Sequence, residues 1–396
     1  MQRIIVFTSL IVWGTQTVFA QQPPAIGYMF PSGGQAGKSV EVPLGGYDWT
    51  PDMKFFVHDP RIKLEILEEP GPVLVPEPPY WFGKKARRAP FLLPRETKAR
   101  LTIPADVPPG IVKWQVANAN GASAVGTFAV GGDSELTEVE DRKASQEIPS
   151  LPVTVSGRVK HIEEVDRYHF VAPKTGPITC SVSAQKIGSP LLAVLEIYDS
   201  KNRQIASTAD TAGNDVALTF SGQAGETYSA RIYDLDFRGN RAFTYRLRVA
   251  AEPRVIAIFP RTGQRGEVRD VEFIGYGIAS GQAKLETLKT RVTFPTEPTS
   301  DTFDFQLKTP FGTPPPVTLH VSDVPETLHQ HAQNQTISQL PFAVSGVLDV
   351  AFGEHRYRIS GKKGDVLDLT LTAEALESPL DVSLTVYDAE GSQKGQ

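Results

Sequence analysis

The sequence predicts an all-β chain, a series of tandem β-sandwich modules following an N-terminal export signal. Three observations carry that expectation. Apolar residues recur with a period of two along short segments, as in Tyr228, Ala230, Ile232 and again in Tyr245, Leu247, Val249. Turn-forming clusters such as Asp199-Ser200-Lys201-Asn202 and Ala212-Gly213-Asn214-Asp215 interrupt these runs roughly every ten residues. Two blocks of sequence each occur twice. No stretch of a dozen residues keeps a helical period, apart from a weak one at 135–144 that reads as linker. Short strands without helices favour sandwiches over a closed barrel.

The elements follow in order from the N-terminus. Arg3 gives a positive start and Ile4 to Val12 an apolar core. Val18-Phe19-Ala20 then forms a small-residue cleavage site before Gln21, so residues 1–20 read as a signal peptide. The apolar stretch is too short for a membrane span, and no later segment is apolar enough to cross a bilayer. The mature chain is therefore expected outside the cytoplasm: periplasmic, at the cell surface or released.

Phe30-Pro31-Ser32-Gly33-Gly34-Gln35-Ala36-Gly37 returns 229 residues later as Phe259-Pro260-Arg261-Thr262-Gly263-Gln264-Arg265-Gly266. The strand after it repeats as well: Val40, Val42 and Leu44 match Arg269, Val271 and Phe273, and Gly46-Tyr47 matches Gly275-Tyr276. This is unit A, expected over 24–132 and 253–325. A second block repeats with a constant offset of 189: Val155-Ser156-Gly157 matches Val344-Ser345-Gly346, and Tyr168 matches Tyr357. Further along, Ser189-Pro190-Leu191 matches Ser378-Pro379-Leu380, and Tyr198-Asp199 matches Tyr387-Asp388. This is unit B, expected over 151–250 and, cut short, over 341–396. The segments 133–150 (acidic) and 326–340 read as linkers. The first copy of B runs to Val249, so the second stops before its last strands, and the expectation is a fragment whose further domains lie downstream.

Length and composition bound the function. A chain of 396 residues suggests two to four domains. Its 40% hydrophobic and 21% charged residues suit packed cores, and a net charge of −5 gives no electrostatic case for nucleic acid or an anionic membrane. Cys180 is the single cysteine, so the modules must be stable without an internal disulfide. It reads as a small apolar residue within a strand.

Unit B resembles the bacterial pre-peptidase C-terminal domain, a β-sandwich of jelly-roll type appended to exported proteins. The likeness rests on Val155-Ser156-Gly157, Asp166-Arg167-Tyr168-His169-Phe170, Leu195-Glu196-Ile197-Tyr198-Asp199, Gly225-Glu226-Thr227-Tyr228 and Tyr245-Arg246-Leu247. Unit A is similar to the immunoglobulin-like IPT/TIG domain, through Phe-Pro and the glycine-rich turn ahead of a strand. The A-B order behind a signal peptide is similar to large secreted proteins of planctomycete-type bacteria.

Candidate chemistry is sparse. No His-Glu-x-x-His, Gly-x-Ser-x-Gly or subtilase-like signature occurs, so the chain itself is not expected to be an enzyme. Gly33 to Ser39 superficially suggests a phosphate loop, but a period-two strand follows where a helix is required. Collagenase-type members of the resembled family hold Ca²⁺ through an acidic lead-in and a second group near the Asp-x-Tyr strand. That implies Glu138, Glu140 and Asp141, with Glu164 and Asp166, since a hard cation needs several oxygen donors. The family's Pro-Asn between the acids is absent here. In the second B unit His355 replaces Asp166, and the lead-in, with His329 and His331, has lost its acids. His329 and His331, alternate along a strand, could share a transition metal, but the segment indicates no third ligand, and a polar linker is the better reading. The long loop 68–94 brings Tyr80, Trp81 and Phe82 together with Lys84, Lys85, Arg87 and Arg88, common ingredients of a ligand surface, although a proline-rich surface loop packing its aromatics onto its own sandwich is the favoured reading. The expected function is a non-catalytic binding, adhesion or spacer array, with extracellular protein or polysaccharide as partner. The alternative is the accessory region of a secreted hydrolase, such as a peptidase, whose catalytic domain lies elsewhere.

Overall fold

The computed structural model describes residues 22–74, 94–140, 144–329, 335–362 and 364–395. Their regular structure is β, apart from two 3₁₀ turns at Gln185–Ile187 and Glu374–Leu376. The chain is thus all-β and built of successive sandwiches. No helix among the described residues is long and apolar enough to cross a membrane.

In the first A unit one sheet orders Ala25–Met29, Lys38–Tyr47, Arg95–Ile103 and Lys63–Ile66. The facing sheet orders Gly33–Gln35, Gly126–Gly131, Gly110–Asn118 and Lys54–Val57. The alternation that predicted strands now sorts the side chains: Val42, Leu44, Leu101, Trp114 and Phe128 fill the space between the sheets. Gly46 is required by close approach, because a Cβ there would lie 2.1 Å from Trp49 Cε2. That indole is buried and donates Nε1–H to the Ala25 carbonyl at 3.0 Å. The strand Gly33–Gln35 leads into the strand Lys38–Tyr47, so the glycine-rich turn serves a sandwich and not a phosphate loop.

The first B unit has two five-stranded sheets. One orders Ser134–Thr137, Val153–Arg158, Thr244–Ala250, Gly176–Ser183 and Val216–Gly222. The other orders Gln146–Ile148, Asp166–Val171, Thr227–Asp234, Ala193–Tyr198 and Gln204–Ala209. The segment 133–150, read from its charge as a linker, supplies the first strand of each sheet. Ser134–Thr137 pairs in parallel with Val153–Arg158, and Gln146–Ile148 with Asp166–Val171. The segment's charge hid these two strands. Ala193–Tyr198 is buried on both faces only at its start. Leu195 and Ile197 face the core, while Glu196 and Tyr198 reach the surface. Cys180 is fully buried among the core side chains, and burial pushes its thiol up, away from any nucleophilic role.

The second A unit is the smaller copy, with three strands in each sheet: Arg254–Phe259, Val268–Tyr276, Leu285–Thr293 facing Thr262–Gln264, Val317–Ser322, Thr302–Phe305. The second B unit keeps the lead-in pairings. Glu326–Leu328 runs parallel to Ala343–Ser345, and Gln335–Ile337 parallel to Tyr357–Ile359, so 326–340, like 133–150, contributes two strands where a linker was read. In the first copy Thr244–Ala250 lies between Val153–Arg158 and Gly176–Ser183. The second copy has no strand in that place among the described residues. Its Leu367, Leu369 and Leu371 are 45%, 38% and 50% exposed, where the matching Ile178, Cys180 and Val182 are at most 1% exposed.

Connections between units are two or three residues long: 132–133, 251–253 and 323–325 separate the last strand of one from the first strand of the next. Charged groups brace them. Arg248 Nε bonds Asp133 at 2.6 Å and Arg248 Nη1 bonds Glu252 at 2.5 Å, while Arg241 reaches across to Glu96 at 3.0 Å. Arg269 pairs with Glu326 at 3.1 Å at the next A–B junction.

A candidate cation site in the first B unit

The lead-in strand Ser134–Thr137 ends by delivering Glu138 into the interior. Its backbone N–H continues the parallel pairing by donating to the Ser156 carbonyl at 2.8 Å, which fixes where the side chain enters. Asp166 opens the strand Asp166–Val171 in the opposite sheet. The two carboxyl groups meet between the sheets, within hydrogen-bonding reach of each other. Both residues are buried, at 7% and 4% exposure.

The surroundings are built for oxygen chemistry. Tyr245 donates its hydroxyl to Asp166 Oδ2 at 2.7 Å, and the Tyr168 hydroxyl lies 2.6 Å from that of Tyr245. Both rings are completely buried. The Arg158 N–H donates to Glu138 Oε2 at 2.8 Å. Burial, then the neighbouring Glu138, pushes the Asp166 carboxyl well above the usual carboxylate range, with Glu164 adding to the effect. Burial and the Asp166 charge likewise push the Tyr245 phenol up. Two acids this close and this dry do not both ionise unless something positive joins them: one proton is shared, or a cation neutralises the pair. The glycine of Val155-Ser156-Gly157 makes the room, since a Cβ on Gly157 would lie 2.4 Å from the Tyr245 ring and 2.8 Å from Glu138 Oε2.

The structure thus brings Glu138 and Asp166 together. Glu164 stands nearby and accepts the His161 N–H at 2.7 Å. Glu140 is taken up differently, in an ion pair with the guanidinium of Arg158 and, at 3.8 Å, with Lys160. Asp141 lies outside the described residues, as do His331 and all of Tyr80, Trp81, Phe82, Lys84, Lys85, Arg87 and Arg88. Among the described residues no group of three or more His, Cys, Asp or Glu side chains converges as a ready-made metal cage. Sequence reasoning missed Tyr245 and Arg158 as parts of the site. Tyr245 lies 79 positions from Asp166 along the chain, and only the closing Tyr-Arg-Leu motif marked its place.

A second feature lies on the outer face of the sheet containing Ala193–Tyr198. Glu196 and Arg231 stand opposite each other across the strands. The hydroxyls of Tyr198 and Tyr233 both donate to Glu196, at 3.0 and 3.1 Å. The Arg231 guanidinium lies 3.6 Å above the Tyr198 ring, and Tyr233 stacks on Phe237 at 5.4 Å. Phe237, half exposed, holds a left-handed backbone (φ 55°) that a bulky residue rarely adopts.

No family model matches the chain, and no curated protein matches it. Solved structures share parts of its fold. The pre-peptidase C-terminal domain of a Bacillus anthracis collagenase is 20% identical over 28% of this chain and 98% of its own, with a TM-score of 0.23. Aeromonas hydrophila PliG, a periplasmic inhibitor of g-type lysozyme, is 17% identical over 30% of this chain and 97% of its own, at a TM-score of 0.20. A two-domain piece of Clostridium perfringens ZmpB, CBM51-2 with GlcNAc and INT, is 12% identical over 37% of this chain and 38% of its own, at 0.19. Scores and identities this low leave the functional reading to the side chains themselves.

Proposed function

We propose that the chain is a non-catalytic, exported spacer array whose first B unit is clamped by a hard divalent cation, calcium by preference. One observation carries this. The strand that leaves the first A unit is built into the next sandwich and ends on a buried carboxylate, Glu138, facing a second one, Asp166. A cation there ties the entry of the chain to the far sheet. Glu138 and Asp166 would hold it, with Glu164 within electrostatic reach, and every donor is an oxygen, as calcium requires. The cation would neutralise the pair. Tyr245 and Tyr168 keep Asp166 oriented.

Calorimetric melting in calcium and in chelator tests this. The first B unit should melt higher with calcium, and an unchanged transition removes the cation from the account.

The outer face of the same unit favours polysaccharide over protein as the presented ligand. Stacked aromatic rings flanked by a carboxylate and a guanidinium suit sugar rings, whose C–H faces pack on aromatics while their hydroxyls bond charged groups. Sedimentation of the chain with insoluble cellulose, chitin or peptidoglycan, compared with a Phe237→Ala variant, decides it. Equal retention of both proteins, or of neither, excludes this face. The reading of the chain as accessory to a secreted hydrolase rests on the same non-catalytic architecture and on the family resemblance of unit B.

A further inference from the structure

The second B unit rebuilds the buried pair with different chemistry. His329 donates its N–H to the Ser345 carbonyl at 2.8 Å, as Glu138 does to Ser156, so the two residues end equivalent lead-in strands. Tyr357 pairs with Gln335 as Tyr168 pairs with Gln146, which places His355 where Asp166 stands. Both members of the carboxylate pair have become imidazoles. A single change would have left an acid facing a histidine, a simple ion pair; the paired change keeps two like donors facing each other.

The rings meet closely. Their centroids are 3.6 Å apart and their planes within 11° of parallel. The Tyr357 hydroxyl lies 3.1 Å from His329 Nδ1. Gly346 opens the space as Gly157 does in the first copy: a Cβ there would sit 3.0 Å from His355 Nδ1 and 3.1 Å from His329 Cβ. The sequence pointed to His331 as the companion of His329, but the fold supplies His355, from the strand region across the seam.

We propose that this second seam is a site for a borderline divalent metal of the zinc, cobalt or nickel class, held by His329 and His355 with the Tyr357 oxygen as third donor. Neutral imidazole is a poor ligand for calcium and a good one for these ions, so the duplicated position suits a different class of metal from the one a carboxylate pair would take. Two imidazoles and the Tyr357 phenolate, whose proton passes to solvent as the metal binds, leave coordination positions to solvent. Binding must break the parallel stack, because the ligating nitrogens have to converge on one point. The reading does not depend on calcium in the first copy.

Cobalt(II) titration of the untagged full chain tests it, followed by ligand-field absorption and by paramagnetic shifts of the histidine ring protons. One equivalent should produce a band of low coordination number and shift two histidines. His329→Ala and His355→Ala should each abolish the band, while His58→Ala, remote in the first A unit, should leave it unchanged. His355→Gln, which keeps a polar side chain of similar size, guards against loss by unfolding: its band should be lost while its circular dichroism stays that of the parent. A band that survives in His355→Gln, or no stoichiometric band in the parent chain, overturns the proposal.

Discussion

Replacing Asp166 by Asn separates the two ways of neutralising the buried pair. The amide keeps the shape and still accepts the Tyr245 hydroxyl, but it carries no charge and is a poor calcium ligand. In chelator the parent unit holds two adjacent acids, both at least 93% buried, that must share a proton. The variant lacks that conflict and should be the more stable by about 1–3 kcal/mol at neutral pH, the usual cost of a poorly satisfied buried polar group. Calcium should reverse the order. At about 100 times its dissociation constant a ligand adds about 2.7 kcal/mol. For a domain of roughly 100 residues each kcal/mol moves the midpoint by about 4–8 °C, so the parent should gain about 10 °C or more. The variant should gain little. Scanning calorimetry of both chains, each in calcium and in chelator, gives four midpoints. A variant with the parent's calcium shift would refute the assignment of Asp166, and a variant less stable than the parent in chelator would refute the like-charge argument.

Three further outcomes follow from the same geometry. Because the folded Asp166 carboxyl titrates above the ordinary aspartate range, the chelated first B unit should be most stable below about pH 4 and lose stability as pH rises through the raised value; urea midpoints measured from acid to neutral pH should fall, and calcium should cancel the fall, whereas midpoints that rise without calcium contradict the shift. Arg246→Met leaves Glu135 buried without its guanidinium partner and Ser156 Oγ without its 3.2 Å donor, which should cost about 3–5 kcal/mol; adding Glu135→Leu should recover much of it, and strictly additive losses would show that the pair is not coupled. Gly46→Ala drives a methyl group into the Trp49 ring and should destabilise the first A unit by about 1–3 kcal/mol, read by tryptophan fluorescence in urea; an unshifted midpoint would misplace that indole.

Much of the fold was legible in the residues. The period of two marked Lys38–Tyr47 and Thr227–Asp234 as strands, because one face of each is largely buried and the other is not; in Thr244–Ala250, buried along nearly its whole length, the same period separates core side chains from the ion-paired Arg246 and Arg248. The repeats separated the A and B units because a duplicated domain keeps the same turns. What failed was the lead-in. Glu135, Glu138 and Glu140 made 133–150 look solvated, and charge pattern cannot show that the partners of these acids, Arg246, Asp166 and Arg158, arrive from distant strands. The candidate site divides the same way. Glu138 and Asp166 were found through a resemblance, while Tyr245 and the pairing of His329 with His355 depend on register between strands, which no single stretch of sequence records.

The connectors of two or three residues between units carry a consequence for any array of such modules that meets a polymer. A flexible tether of three residues wanders over about 10 Å and lets neighbouring modules point anywhere. Connectors this short, braced by Arg248 and Arg269, instead hold one module's heading relative to the next. If two modules meet a periodic polymer whose repeat matches their spacing, the second contact forms at high effective concentration and avidity follows. On a mismatched polymer the second contact is lost altogether. Pitch and heading, set at the joints, thereby become a means of selection in their own right.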